Sequence, residues 1–323
     1  MFRLVMTVLC LAVRVGHADS TPQPESPSPA TEDLGETAKG HGSVSIAYLN
    51  TYSNGFQINT NTTKPLATVR SRGIALDVDY NVTDDLSVHL GIPYIDNRFV
   101  KGIPHCPTTA PPQCAGLPAL NPQHPESQFL DDGKYHGTWQ DFNLGAAWHT
   151  HIGNYYITPS ITAVIPSHDY TFFANAAVGQ RLRQLELAAT LAHQFDFSNI
   201  YYKLGYAYVL SQRILGHDTG YQRFDAELGY FVNEKLSVRT FTTGRLGDGL
   251  AALDLLALTD GQTNAYWYHH DQLAKHSYFG AGLGFDYALG KRYTLTTGIQ
   301  REVWGETVFN FKYALEMRLT RSF

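Results

Sequence analysis

The residues of this chain whose types and spacing could do chemistry fall into four groups. Cys106 and Cys114 flank the run Pro107-Thr108-Thr109-Ala110-Pro111-Pro112-Gln113. In an exported chain such a pair forms a loop-closing disulfide, with two free thiols as the alternative; either way it braces a loop and is not a redox centre. His269, His270 and His276 lie close to Asp271. A metal needs ligands converging from a fixed frame, so adjacent histidines on a loop read as solvent-exposed, and no metal or cofactor is expected. Ser167-His168-Asp169 has the residue types of a hydrolase relay, but consecutive side chains diverge and cannot make one by themselves. There is no G-x-S-x-G elbow, H-E-x-x-H pair or phosphate loop, and no catalytic residue is assigned.

The fourth group is a set of charged residues: Asp77, Asp79, His89, Asp141, Lys203, Arg223, Asp225, Glu227, Arg239, Asp286, Arg292, Lys312, Glu316 and Arg318. Each falls on the polar face of a segment whose other face is apolar. Inside a barrel they would line the lumen with both signs of charge. That gives either a hydrated path whose charges tune selectivity or a closed interior filled by salt bridges, and both readings stay open.

The elements that position these residues have a period of two. Ile74, Leu76, Val78 and Tyr80 alternate with Gly73, Ala75, Asp77 and Asp79; Phe279, Ala281, Leu283 and Phe285 alternate with Gly280, Gly282, Gly284 and Asp286. This is the pattern of half-buried antiparallel strands. Tyr80, Tyr94, Trp139, Trp148, Tyr155, Tyr230, Tyr278 and Tyr293 stand near segment ends, where aromatic girdles meet lipid headgroups. Tight turns at 81–85, 151–154, 196–199, 233–235 and 289–291 alternate with longer connections at 54–66, 95–138, 166–178, 212–220, 244–276 and 301–306. The segments between them predict strands over 43–53, 67–80, 86–94, 139–150, 155–165, 179–195, 200–211, 221–232, 236–243, 277–288, 292–300 and 307–320. The fold class is therefore all-β: an antiparallel transmembrane β-barrel of about 12 strands, of the bacterial outer-membrane kind. Pro159 falls inside a strand and suggests a bulge. Residues 248–260 suggest a short capped helix over the barrel mouth or an extension of the preceding strand.

The chain ends fit this reading. Residues 1–18 have the basic start, apolar run and Gly16-His17-Ala18 site of a cleaved signal peptide, which would remove Cys10. Residues 19–42 are rich in Pro, Ser and Thr and predict a disordered periplasmic arm, leaving 43–323 as the barrel with long external loops at 95–138 and 244–276. Tyr313, Leu315, Met317, Leu319 and the terminal Phe323 resemble a C-terminal barrel-assembly signal, from which Arg321 departs. Charged residues are only 16% and aromatics 13%, and the net charge is −5. This disfavours coiled coils and nucleic-acid binding, and no apolar stretch past the start is long enough for a membrane helix.

The segment from Leu76 through Asn81-Val82-Thr83-Asp84-Asp85 to Pro93-Tyr94 resembles the outer-membrane transporters of the "MetA-pathway of phenol degradation" family. So do Trp139-Gln140-Asp141-Phe142-Asn143-Leu144-Gly145, Thr158 to Pro166, Tyr221 to Tyr230 and the strands from Tyr278 onward. The likeness covers about 43–323 and departs at Pro166-Ser167-His168, where the family's glycine is missing. It implies passive uptake of small, often aromatic or hydrophobic, compounds, and carries no site residue over. The expected partners are outer-membrane lipid and lipopolysaccharide, the barrel-assembly machinery and a small solute, with no nucleic acid. The alternatives are a structural or surface-interaction barrel without a channel, and a membrane-embedded hydrolase. The hydrolase would need a Ser and His paired on the lipid-facing wall, which no strand clearly presents.

Overall fold

The computed structural model describes residues 38–59, 62–102, 104–105, 128–259 and 265–323. The expected signal peptide, nearly all of the expected arm, and Cys106 and Cys114 lie outside them. The strands are β1 Gly42–Asn59, β2 Thr62–Asn81, β3 Leu86–Val100, then β4 His136–Trp139, β5 Phe142–Trp148 and β6 Thr150–Ile152. After these come β7 Tyr155–Ile165, β8 Gln184–Gln194, β9 Ile200–Ser211, β10 Tyr221–Asn233 and β11 Leu236–Gly247. Three short helices follow, α1 Ala252–Leu258, α2 Ala265–Tyr268 and α3 His270–Leu273, then β12 Ser277–Ala288, β13 Tyr293–Glu306 and β14 Val308–Ser322.

The pieces β4, β5 and β6 occupy one wall position, so the structure is a closed 12-strand antiparallel barrel. β14 pairs with β1 from Ser43↔Ser322 to Gln57↔Val308 and closes the ring. Closure leaves no strand edge in lipid, where an unpaired amide costs several kcal/mol. Ile46, Leu144 and Leu283 are more than half exposed, whereas their neighbours Ala47 and Asn143 are buried. The outer face is thus apolar around the ring, as a lipid-facing wall requires. Met317, Leu319 and Phe323 lie on this face, and the terminal Phe323 exchanges backbone hydrogen bonds with Gly42 at 2.9 and 3.0 Å.

Several boundaries differ from the sequence expectation. β1 and β2 run on to Asn59 and from Thr62, and β13 and β14 are separated only by Thr307, whose φ is 56°. The predicted long connections 54–66 and 301–306 are therefore tall hairpins, and the short-long alternation is not uniform. Arg292, expected in the lumen, is exposed in the turn before β13; the strand begins one residue later, so the parity that placed Arg292 inside does not reach it. Pro159 is paired in register with Ala189, without a bulge. On its other side the ladder is interrupted between Ala147↔Ser160 and Thr150↔Ile157, so the missing proline N–H faces a gap where the register does not slip. A one-residue shift occurs instead at Gln140-Asp141, between Tyr94↔Trp139 and Gly91↔Asn143. This bulge turns both Gln140 and Asp141 toward the interior, where both are buried.

Gly229 on β10 faces Tyr201 on β9, and a Cβ at Gly229 would lie 2.1 Å from Tyr201 Cζ. The ring covers the bare glycine backbone, a cross-strand aromatic contact that pins the register. Gly229→Ala should displace Tyr201 and lower barrel stability by about 1–3 kcal/mol, read as an earlier midpoint in a urea titration of the protein in lipid vesicles.

Candidate functional site

The interior has two zones. Toward the tight turns, the charged residues of the polar face pair with one another. Asp286 accepts hydrogen bonds from Arg239, from Ser237 Oγ at 3.0 Å and from Thr296 Oγ1 at 2.7 Å. Arg239 also lies 3.4 Å from Glu227, which is 3.9 Å from Lys203 Nζ. Arg318 bridges Glu316 at 2.9 Å and Asp77, and His89 contacts Asp79 at 3.0 Å and Asp77 at 3.7 Å. Nearer the loop end, close to the starts of β10 and β8, Arg223 joins Glu186 at 2.7 Å to Asp225 at 3.3 Å. Burying such charges is costly unless each finds a partner, and these do. Lys312 instead donates to Asn310 Oδ1 nearer the loop end. Sequence reasoning missed Glu186, which sits on the interior face of β8 opposite Arg223, and Arg245, which stacks on the Tyr221 ring at 3.7 Å.

The other zone is mainly apolar, with Arg223, Glu186 and Arg245 buried at its wall. The expected strand over 179–195 begins only at Gln184, and the chain before it is a loop folded inside the barrel. Tyr170, Phe172, Phe173, Ala174, Ala176, Ala177, Val178 and Leu182 are all buried. Tyr170 and Val178 pack on Leu49 of β1 and Ile95 of β3; Ala174, Ala176 and Ala177 pack on Val69, Phe99 and Leu130, with Phe309 of β14 against them. Burying this much apolar surface, at about 25 cal/mol per Å², makes the loop a plug and not a dangling connection.

Polar contacts seat the plug. The Tyr170 hydroxyl donates to Asp141 Oδ1 at 2.6 Å and accepts from the Arg181 N–H at 2.9 Å. Burial and the adjacent carboxylate push its pKa up, so it remains a phenol. Asn97 Nδ2 donates to the Ala177 carbonyl at 2.6 Å. Asp131, whose side chain is fully inaccessible, accepts from the N–H groups of His105 at 2.8 Å, Asn175 at 3.2 Å and Ala176 at 2.8 Å, and from Asn175 Nδ2 at 2.8 Å. Burial would raise the Asp131 carboxyl, but His105 and these donors hold it below the usual carboxylate range. Burial would likewise lower the His105 ring, but Asp131 and the charge of Asp271 hold it above its ordinary value.

The helices form a lid on the plug. α1 lies within the anticipated 248–260 segment, although its N-cap residue Ala251 makes no side-chain cap bond. Leu255 and Leu273 pack with Leu182 and Ile214, while Tyr268 and Trp267 pack with Phe172 and Phe173. Gln180 Nε2 donates to the Asp271 carbonyl at 2.7 Å, and Gln272 Nε2 returns a bond to the Gln180 carbonyl at 2.6 Å. The expectation that His269, His270, His276 and Asp271 are solvent-exposed is therefore corrected: all four are at least partly buried, and His270 stacks on Trp267 at 4.3 Å. What placed them there is packing against a plug far away in sequence.

Ser167 and His168 do touch, at 2.8 Å from Oγ to Nδ1, contrary to the expected divergence. The Ser167 hydroxyl donates to the Trp139 carbonyl, however, and Asp169 pairs with Arg181, so the three residues do not form a relay. Ser87 Oγ lies 2.8 Å from His149 Nε2, but Ser87 is buried on the interior face and not on the lipid-facing wall.

No family model and no curated protein matches the sequence. Among solved structures, an outer-membrane channel from Pseudomonas putida F1 shares the fold, with a TM-score of 0.65, 11% identity, and coverage of 92% of this chain and 100% of that one. The NanC porin gives a TM-score of 0.45 at 10% identity, over 85% of this chain and 98% of that one.

Asp131 holds the plug through several charge-assisted bonds, so its loss should unseat the loop while the wall persists. Asp131→Ala is expected to weaken plug seating by about 3 kcal/mol. Limited proteolysis should then cut between 168 and 183 in the variant, while the wild-type loop stays intact.

Proposed function

We propose that the chain is an outer-membrane channel for passive uptake of small, weakly polar solutes, aromatic compounds among them, exported by a cleaved signal peptide. The observation that carries this reading is the division of the lumen. Once the plug and lid part, solute at the loop end meets the otherwise buried Phe99, Phe172, Phe173 and Tyr268 with Phe129 and Trp267, a mainly aromatic surface. Such a surface favours partitioning of aromatic and aliphatic groups and offers little to a hydrated ion. The plug and its lid act as the gate, because their seating bonds can be exchanged without breaking the strand ladder. The resemblance to the MetA-pathway transporters supports the same solute class. The paired charges toward the turns favour a second reading, a closed barrel whose external loops do the work.

Reconstituted liposomes separate the two. Uptake of a small aromatic such as phenol should exceed that of protein-free vesicles, while ion conductance in planar bilayers stays low. Deleting 171–178 should raise ion conductance at least tenfold. If neither form passes solute or ions, the closed-barrel reading stands.

A further inference from the structure

The geometry points to a binding site for one divalent transition-metal ion of the zinc type at His105, His270 and Asp271, joining the lid to the loop after β3. This inference is independent of the transport reading. The ligand atoms of the three residues converge within 4.8 Å of one another. His105 Nε2 lies 3.2 Å from His270 Nε2, and His270 Nε2 lies 3.2 Å from Asp271 Oδ1. Two zinc–ligand bonds of about 2.0–2.1 Å opening at a tetrahedral angle set their donor atoms about 3.3–3.4 Å apart, close to both separations.

The proton count makes the same point. His270 Nδ1 lies 2.6 Å from the Trp267 carbonyl, which can only accept, so the ring proton sits there and Nε2 is a bare lone pair. That lone pair faces a carboxylate oxygen, which is also an acceptor, and a second imidazole nitrogen. At most one proton, on His105 Nε2, is shared among these three atoms, and Asp271 Oδ2 is buried with no hydrogen-bond partner. A cation at the centre satisfies all of them.

The surroundings fit a built site. Asp131 Oδ2 lies 3.2 Å and Asn175 Nδ2 2.7 Å from His105 Nδ1, and the Trp267 carbonyl holds His270 Nδ1, so the outer nitrogen of each histidine is engaged, as it ordinarily is in metal-ligating histidines. Trp267 lies parallel to His270 within 4°, which fixes the ring plane. Two imidazoles and one carboxylate suit zinc and its neighbours better than magnesium or calcium, which take all-oxygen shells.

The test uses the full-length protein purified in detergent, free of affinity tag and stripped with chelator. Expected are one equivalent of zinc by elemental analysis, a raised melting temperature with zinc and none with magnesium, and the visible absorption of tetrahedral cobalt when Co2+ is added. His270→Gln and Asp271→Asn should weaken zinc binding at least tenfold, whereas His136→Gln, whose ring bonds Asp132, should not. Zinc held equally well by His270→Gln would overturn the assignment. So would the lack of a tetrahedral cobalt spectrum in the wild type, which decides the matter even if the variants misfold and leaves a shared proton as the link between the histidines.

Discussion

Every backbone amide of the wall must find a partner inside the wall, because lipid offers none. Ring closure between β1 and β14 meets that demand, and most of what the chain does elsewhere follows from it. It fixes which side chains face lipid. It forces the polar half of each strand into a space that cannot stay empty or uncompensated. Pro159 shows how local the tolerance is: a residue with no N–H is accommodated only where the neighbouring ladder is already interrupted.

The interior solves its filling problem in two ways. Near the turns, where strands begin and end in fixed register, acid and base from nearby strands neutralise each other, across neighbours as in Arg239–Asp286 or across β1 as in Arg318–Asp77. Toward the loops the wall carries Leu49, Val69, Ile95 and Phe99, and a second apolar surface has to be brought in to cover it. The plug supplies that surface. Its polar backbone needs partners in turn, which Asp131, Asn97 and the Gln180–Gln272 exchange provide. The same region gathers His105, His270 and Asp271 because plug, lid and the loop after β3 meet there.

Much of the wall was legible because a period of two is a local signal. β7, β9 and β12 have the limits read from alternation, and the interior parity of Arg223, Arg239, Asp286 and Glu316 follows from the same rule. Parity fails at Arg292 because it holds only while a strand continues. The tall hairpins of β1–β2 and β13–β14 were hidden because Asn59, Thr62, Thr63, Lys64 and Arg301 interrupt the apolar alternation. Nothing local marks Tyr170 to Leu182 as interior; small and aromatic residues without a period read as a loop until the wall they cover is known. Nor could spacing reveal a contact between His105 and His270, which are brought together by tertiary packing alone.

The plug is bonded to more than one side of the ring's closing joint. It packs on Leu49 of β1 while Phe309 of β14 leans on the same apolar mass. It therefore works as a strut across the one junction that unites the two ends of the chain. Prying β1 from β14 would expose Phe309, Leu49 and the plug alanines together, so rupture of the ring and unseating of the plug become one cooperative event. During biogenesis the order reverses: the alanines of the plug lack Phe309 until the last strand docks, so the final zipping step gains a hydrophobic contribution in addition to its hydrogen bonds.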